Sequence, residues 1–321
     1  MAERQGNHQV ILVGAETTYN STTAPDPTIK LFCNFNAVEG KEEIAVPHKT
    51  TFPYDLNSEY YAGRDHPVVT LSGQLNGNML FLLPGITGDS ATPYVWEAAN
   101  VAPTNKSFSI WQCFPVGSDN PGAGTAARGC TIESCTFTKN GLYVDFNAVL
   151  RAASIDREAD LSTLDETKIT TPAASATMSY KAPEPFLWQN LTCSLADAGY
   201  THLESFTLTF TNEFIDDEAT YQNSSVKLSD TPCFRKGTIA ASTIYDSTTD
   251  AKIFDFLINN ADTYVNVISF VSTAATWAFT MNCQYIEPYD LPDPGKCKFK
   301  ASWNARLVGD GTTVPLSIAV S

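Results

Sequence analysis

The chain has 321 residues, with 35 Asp or Glu against 20 Lys or Arg, which gives a formal net charge of −15 at pH 7. This balance argues against wrapping nucleic acid, which requires a basic surface. The hydrophobic share of 43% excludes a chain that is disordered throughout. The sequence predicts no membrane-spanning helix, because it has no apolar run long enough to cross a bilayer. Residues 1–8 lack the basic start and apolar stretch of a secretory signal, so we expect none.

Short runs rich in β-branched and aromatic residues predict a mainly β fold. The clearest of these runs are Val10–Val13, Phe108–Trp111, Cys130–Thr138, Leu142–Leu150 and Phe206–Phe210. In several of them apolar and polar residues alternate, which is typical of a half-buried strand. Asn140 and Gly141 separate two runs and favour the positive φ angles of a tight turn, so we predict a β-hairpin from Cys130 to Ala152.

Only two segments carry helical patterns. Ile253, Phe254, Leu257 and Ile258 would share one face of a helix, which predicts a helix over residues 250–258 after capping groups at Ser247–Asp250. A weaker pattern predicts a short helix over residues 76–83, ended by Pro84 and Gly85.

The order strand, helix and three strands occurs twice, once over residues 68–150 and again over residues 237–307. A competing similarity between residues 131–138 and 202–209 is interpreted as shared strand chemistry. We therefore predict two tandem β-sandwich or half-barrel domains, each with one short α-helix, over residues 1–155 and 186–321. Residues 156–185 have no apolar period and end in prolines, so they are predicted to form a linker or arm.

Two further stretches, residues 45–65 and 117–129, are predicted to be long irregular loops. Loops of this length are either functional or covered by a partner subunit. The eight cysteines form no CxxC pair, and the interpretation as buried free thiols is favoured over disulfides or zinc ligands. The cysteines are Cys33, Cys113, Cys130, Cys135, Cys193, Cys233, Cys283 and Cys297.

Residues typical of catalysis are sparse. Asp216, Asp217 and Glu218 could bind calcium or act as acid and base, but they lack the spacing of a calcium loop, so a solvated face is favoured. His66 beside Asp65 could form half of a dyad, yet no nucleophile accompanies it. The tryptophans lie in strand-like patterns, where burial is commoner than sugar stacking. The sequence therefore favours a protein that is not an enzyme and needs no cofactor.

Three segments, taken in order, resemble the tail tube proteins (major tail proteins) of long-tailed bacteriophages. They are the hairpin over residues 128–148, the strand over residues 203–214 with Asn212 near its end, and the loop-rich residues 53–66 followed by a strand and a short helix near Gly73–Leu75. Each motif is degenerate alone, and their order carries the resemblance. Residues 117–127 and 156–185 have no counterpart in that family.

The resemblance implies sheets that join neighbouring subunits into rings, and rings that stack into the hollow tube of a virion tail. DNA would pass through without sequence-specific binding, and the partners would be further copies, the tape measure, the tail terminator and baseplate proteins. Candidate lumen-facing carboxylates are Glu133, Asp145, Glu204 and Glu213. Candidate ring-stacking residues are Tyr54, Tyr60, Tyr61, Pro183 and Pro185.

If six tube domains form a ring and each chain carries two, three chains (6 / 2) close it, which predicts a pseudo-sixfold trimer. Three other interpretations remain open at this point. The chain could be a receptor- or carbohydrate-binding β-sandwich module, or another tail ring component of the tail completion or baseplate hub type. It could also be a hydrolase that acts through Asp216, Asp217 or His66.

Overall fold

The computed structural model describes residues 10–20, 25–39, 41–46, 59–65, 67–96, 106–114, 123–162, 164–165, 168–169, 184–195, 198–199, 203–214, 221–222, 225–226, 234–244, 263–286, 300–309 and 313–321. It is 64% strand and 6% helical, so the prediction of a mainly β fold is confirmed. Within the described ranges, no helix has the length and hydropathy needed to cross a membrane.

The described residues of the first half of the chain form eleven strands and one α-helix. In order, they are β1 (Val10–Ala15), β2 (Ile29–Leu31), β3 (Asn34–Val38), β4 (Lys41–Val46), β5 (Glu59–Asp65), β6 (Val68–Gln74), α1 (Leu82–Thr87), β7 (Tyr94–Val95), β8 (Phe108–Cys113), β9 (Ala123–Asn140), β10 (Tyr143–Arg151) and β11 (Ser154–Asp160).

The second half carries ten described strands after a short 3-10 turn at Trp188–Asn190. They are β12 (Thr192–Leu195), β13 (Ala198–Gly199), β14 (Leu203–Glu213), β15 (Tyr221–Gln222), β16 (Ser225–Val226), β17 (Phe234–Ile244), β18 (Tyr264–Val271), β19 (Thr276–Tyr285), β20 (Lys300–Leu307) and β21 (Leu316–Val320). Each strand run that the sequence predicts coincides with one of these strands.

Strand β9, 18 residues long, belongs to two sheets at once. Its first half pairs with β8 and β11, and its second half pairs with β10 and β14. Gly129 lies where the strand passes between them, with a φ of +62°. Opposite it the register with β8 shifts between Phe108 and Ile110. A bulge of this kind bends a strand sharply, which allows one strand to serve two sheets.

The second half of β9 belongs to a closed circuit of strand pairings. The circuit runs from β9 through β14, β17, β20 and β19 to β18. From β18 it continues to β12, and a bridge between Leu187 and Tyr143 returns it to β10, which pairs with β9. A sheet that closes on itself in this way is a barrel, and closure removes most of its exposed edges.

Aromatic side chains fill this barrel. The Phe137 ring lies 5.6 Å from the Phe279 ring and 6.1 Å from the Phe210 and Phe270 rings, each time in an edge-on arrangement. Edge-on pairs of this kind stabilise a core beyond the area that they bury.

The same core cluster extends to Val69, Leu71 and Ile110 in the first half of the chain. The two predicted domains therefore share one core, and β9 of the first pairs with β14 of the second. The domain boundaries at residues 155 and 186 stay a prediction.

The predicted helix over residues 76–83 is wrong in its bounds. Helix α1 begins at Leu82 and includes Pro84 and Gly85, which were expected to end it. Pro84 is the third helical residue, where a backbone N–H has no partner within the helix, so proline is tolerated there. A Cβ on Gly85 would lie 2.4 Å from Ile132 Cδ1, so glycine allows α1 to pack closely against β9. The second predicted helix lies outside the described residues.

Parts of the predicted loops and linker are strands. Residues 45–46 and 59–65 belong to the β4–β5 hairpin, and residues 123–129 belong to β9. Residues 156–160 belong to β11, which buries Ala159 in a small cluster with Leu161. An edge strand that buries so few side chains has no apolar period, which explains why the sequence pattern missed it. The predicted hairpin at Asn140 and Gly141 is confirmed.

We expect Gly129→Ala to lower the free energy of unfolding by about 2–4 kcal/mol, from a left-handed backbone strain of about 1–2 kcal/mol and a steric overlap. The added Cβ would lie 2.7 Å from Ala153 Cβ. Gly141→Ala is the matched control, because Gly141 has a φ of +59° but nothing within 4 Å of the Cβ position. Urea denaturation of both variants checks this. Equal losses would mean that the bulge does not need close packing.

Candidate assembly surface

The outer face of the large sheet is lined mainly by small polar side chains, with Val38, Val149 and Phe234 among its outward apolar residues, and we call it the polar face. Its residues alternate with the buried core residues along seven adjacent strands, β3, β6, β10, β9, β14, β17 and β20. All of them are half-buried or exposed. They include Asn34, Asn36, Thr70, Ser72, Ser134, Thr136, Thr138, Asn147, Thr207, Thr209, Thr211, Thr238, Ala240 and Asn304.

These side chains lie in rows because the strands are in register. Thr138 faces Thr207, Thr136 faces Thr209, and Ser134 faces Thr211 across the β9–β14 pair. The rows continue on both sides to the outward residues of β10 and β17. Threonine is suited to this position because its branched Cβ favours a strand while its hydroxyl remains hydrated. The result is a broad hydroxyl-rich surface over an aromatic core.

The few charged residues of the polar face are balanced in sign. Glu213 forms an ion pair with Lys236. Asp145 accepts a 2.6 Å hydrogen bond from Asn140 Nδ2, and Arg306 donates to Gln284 Oε1 at 2.6 Å. A further cation, Arg151, is buried at the end of β10, with its guanidinium 4.7 Å from the Phe214 ring. Among the side chains of this face that the structure describes and that are not buried, two are acids and two are bases, in a chain of net charge −15.

The four predicted lumen-facing carboxylates divide into two pairs. Asp145 and Glu213 occupy outward positions in regular ladders and lie on the polar face. Glu133 and Glu204 lie at register shifts. In the β9–β10 pair, Val149 pairs with Ser134 and Leu150 with Ile132, so the register skips Glu133. In the β14–β17 pair, the register shifts between Leu203 and Ser205, the two neighbours of Glu204. Both carboxylates are half-buried. The structure therefore brings only the first pair onto one regular face.

Three of the five predicted ring-stacking residues lie in the part of the chain that the structure describes. Tyr60 and Tyr61 lie in strand β5, so the prediction that they belong to an irregular loop is wrong. Pro185 is half-buried and forms a β-bridge with Asn76. Tyr54 and Pro183 lie outside the described residues, as do His66, Asp216, Asp217 and Glu218.

Asn212, an inward residue of β14, connects this strand to helix α1. Its side chain is buried, and Nδ2 donates to the Ile132 carbonyl at 2.8 Å and to the Gly85 carbonyl at 3.2 Å. Its Oδ1 accepts from Arg235 Nε at 3.3 Å. An amide at an inward position of an alternating strand was the sequence signal for this role. One side chain therefore ties together α1, β9, β14 and β17.

Glu16 holds the bend of β9. Its Oε1 accepts hydrogen bonds from Ser109 Oγ at 2.7 Å and from the Gly129 N–H at 2.9 Å. Its Oε2 accepts from the Asn20 N–H at 3.0 Å. Since Gly129 and Ser109 are far from Glu16 in sequence, no local pattern could predict these contacts. The carboxylate supplies an acceptor for the N–H group that the bulge removes from the ladder.

The six described cysteines are not joined in disulfides, and four of them are buried. Burial raises the pKa of Cys33 and Cys283 to about 12 and that of Cys193 to about 11. These thiols are therefore protonated at neutral pH and poor nucleophiles. Among the described residues, no group of three or more His, Cys, Asp or Glu is arranged to hold a metal ion.

Comparison with known proteins gave no family assignment. No model of a known protein family matches the chain, and no curated protein matches it.

We expect Asn212→Ala to lower the free energy of unfolding by about 2–3 kcal/mol, because it leaves buried carbonyl groups without a donor. Asn147→Ala on the polar face is the control, and it should change stability by less than about 0.5 kcal/mol because its side chain is exposed. Thermal and urea unfolding of the two variants would test this. Similar losses in both would refute the role assigned to Asn212.

Proposed function

We propose that this chain is a structural virion protein of a long-tailed bacteriophage. Its copies close into rings that stack into the hollow tail tube, and the tube conducts phage DNA into the host cell. The observation that carries the proposal is the polar face, which extends over seven strands and is balanced in charge among the side chains that the structure describes. In this proposal the protein is not an enzyme and requires no cofactor.

The polar face suits the wall of a DNA channel because it offers few groups that would retain phosphate. Affinity for DNA arises mainly from Lys and Arg side chains that displace counterions. Lys236 of this face is paired with Glu213, and Arg306 donates to Gln284. A wall of hydroxyl and amide groups stays hydrated, so DNA can slide along it without binding. The sequence predicts a lumen lined by carboxylates, whereas the described side chains of the wall proposed here include as many bases as acids.

Strand β3 is the proposed edge at which neighbouring subunits meet. Among the described strands only β6 pairs with it, and its sequence, Asn34 to Val38, has no charged residue. One of its carbonyl groups, that of Ala37, accepts a hydrogen bond from Arg157 of β11 at 3.4 Å. By contrast, the edge strand β11 carries Asp156, Arg157, Glu158 and Asp160. Charged residues protect an edge from pairing with another chain, whereas an uncharged edge remains open to it. The polar face would then continue from one subunit into the next.

The proposed ring contains three chains, each contributing two tube-like domains to a pseudo-sixfold arrangement. Its partners are further copies of the chain, the tape measure, the tail terminator and baseplate proteins, all within the virion. A tail completion or baseplate hub ring would use the same surface. The number of copies per virion distinguishes these roles, since a tube protein is present in many more copies than a single ring.

Asn36→Lys places a charge in the uncharged edge strand and should prevent assembly while the monomer remains folded. Lysine in an edge strand disfavours pairing with a second strand. The matched control is Glu158→Lys in β11, which should assemble as the unchanged chain does. Sedimentation and negative-stain microscopy measure assembly, and circular dichroism measures folding. Normal tubes from the Asn36→Lys variant would exclude β3 as the ring contact.

Thr238→Cys tests which way the polar face points. The described native thiols are buried or half-buried whereas Thr238 is exposed, so a thiol at this outward position should react with a maleimide-gold cluster before assembly. Tubes built from a mixture of labelled and unlabelled chains should show gold along the central axis in electron micrographs. The unchanged chain, treated identically, measures labelling of native cysteines. Gold on the outer surface would refute a lumen-facing polar face.

A further inference from the structure

The barrel is closed by a segment that differs from its other strands. Residues 184–195, which we call the strap, extend from Glu184 to strand β12. Elsewhere in the barrel, neighbouring strands pair in ladders of consecutive residues. The β9–β10 ladder, for example, is nearly continuous from the Asn140–Tyr143 pair to the Thr131–Arg151 pair. Before it reaches β12, the strap meets the described sheet only through isolated β-bridges, which join Leu187 to Tyr143 and Pro185 to Asn76. We call this junction between the strap and the rest of the sheet the seam. It is the one discontinuous joint in the described circuit of strands.

Three backbone hydrogen bonds cross the seam in the described residues. The Phe186 N–H donates to the Leu75 carbonyl at 2.9 Å, and the Phe186 carbonyl accepts from the Val144 N–H at 3.2 Å. The Trp188 N–H donates to the Leu142 carbonyl at 2.8 Å. Beyond them the strap turns away in the 3-10 turn. The far end of the strap is held differently, because Thr192–Ser194 pair in register with β18.

Two aromatic side chains anchor the strap. Phe186 is buried, with its ring 5.4 Å from the Trp277 ring and 6.1 Å from the Phe270 ring. Trp188 is half-buried and stacks on Phe206, with ring centroids 5.5 Å apart and planes 18° apart.

Lys139 of β9 contacts the second anchor, Trp188. Its Nζ lies 4.1 Å from the centroid of the Trp188 ring and donates to the Glu204 carbonyl at 2.6 Å. An ammonium over an indole face is attracted by the ring quadrupole, and the hydrogen bond to β14 fixes its position. Lys139 therefore links three elements at the seam: β9, β14 and the strap.

We propose that residues 185–190 form a latch that opens as a local unit, hinged at β12, while the rest of the barrel stays folded. The seam has few backbone hydrogen bonds and one half-buried anchor, which are the features of regions that open below the global unfolding free energy. Opening uncovers the Phe206 ring, on which Trp188 stacks, and separates the strap from Leu142 and Tyr143, which are already 66% and 36% exposed. The latch thus controls an apolar surface at the hairpin end of the barrel. This inference does not depend on the proposed tail function.

Hydrogen exchange of the full chain, resolved to single amides, tests the latch. The Phe186, Trp188 and Val144 amides should exchange much faster than the Leu208 and Phe210 amides, which lie in β14 between two paired strands. Lys139→Met keeps the apolar stem and removes the cation, so it should speed exchange at the seam about tenfold and leave the β14 amides unchanged. Seam and β14 amides that exchange at one common rate in both proteins would overturn the proposal.

A covalent lock gives a second, independent readout. Tyr143 and Leu187 are opposite each other across the seam, so Tyr143→Cys with Leu187→Cys places two thiols at a cross-strand position. After oxidation with an added disulfide reagent, the seam amides should slow to the rate of the β14 amides. Reduction should restore the faster rate. If the locked protein keeps fast exchange at Phe186 and Trp188, the strap does not open as a latch.

Discussion

The bend of strand β9 is the constraint on which the rest of this structure depends. One strand of 18 residues lies between β8 and β11 in the sheet that also contains β1, and then forms part of the wall of the aromatic barrel. The bend requires a positive φ at Gly129 and an acceptor for its N–H, which Glu16 supplies. Without both, the two sheets could not share a strand, and the core that joins both halves of the chain would be divided.

The bend also places the second half of β9 in the barrel wall, where its side chains point alternately into the core and onto the polar face. Alternation in β9, β10 and β14 sends Phe137, Phe146 and Phe210 inward and Thr136, Asn147 and Thr209 outward. Because the strands are in register, the outward residues merge into the polar face. The aromatic core makes this sheet stable without any help from its outer side. The outer residues are therefore free to serve an interaction, which is why we connect the polar face with the proposed channel wall.

Local patterns in the sequence are sufficient to predict the strand runs rich in β-branched and aromatic residues and the Asn140–Gly141 hairpin. Alternation and turn preference depend only on neighbouring residues. Local patterns are insufficient for helix α1, where Gly85 is selected by its contact with Ile132 and not by helical propensity. Strand β11 was missed because an edge strand needs few apolar side chains.

The candidate surface was only partly predictable. Asp145 and Glu213 were recognised from their strands, but Glu133 and Glu204 lie at register shifts that no local pattern indicates. Glu16 acts through residues distant in sequence, and the closure of the barrel depends on bridges between Leu187 and Tyr143. Such long-range pairings arise only when the whole chain has folded.

The most direct test of the account is a helical reconstruction, by electron cryomicroscopy, of the assembled protein. The account predicts a hollow tube with three chains in each ring, the polar face along the lumen, and β3 paired with a strand of the adjacent chain. A protein that stays monomeric at high concentration, or a tube whose lumen is lined by another surface, would contradict it.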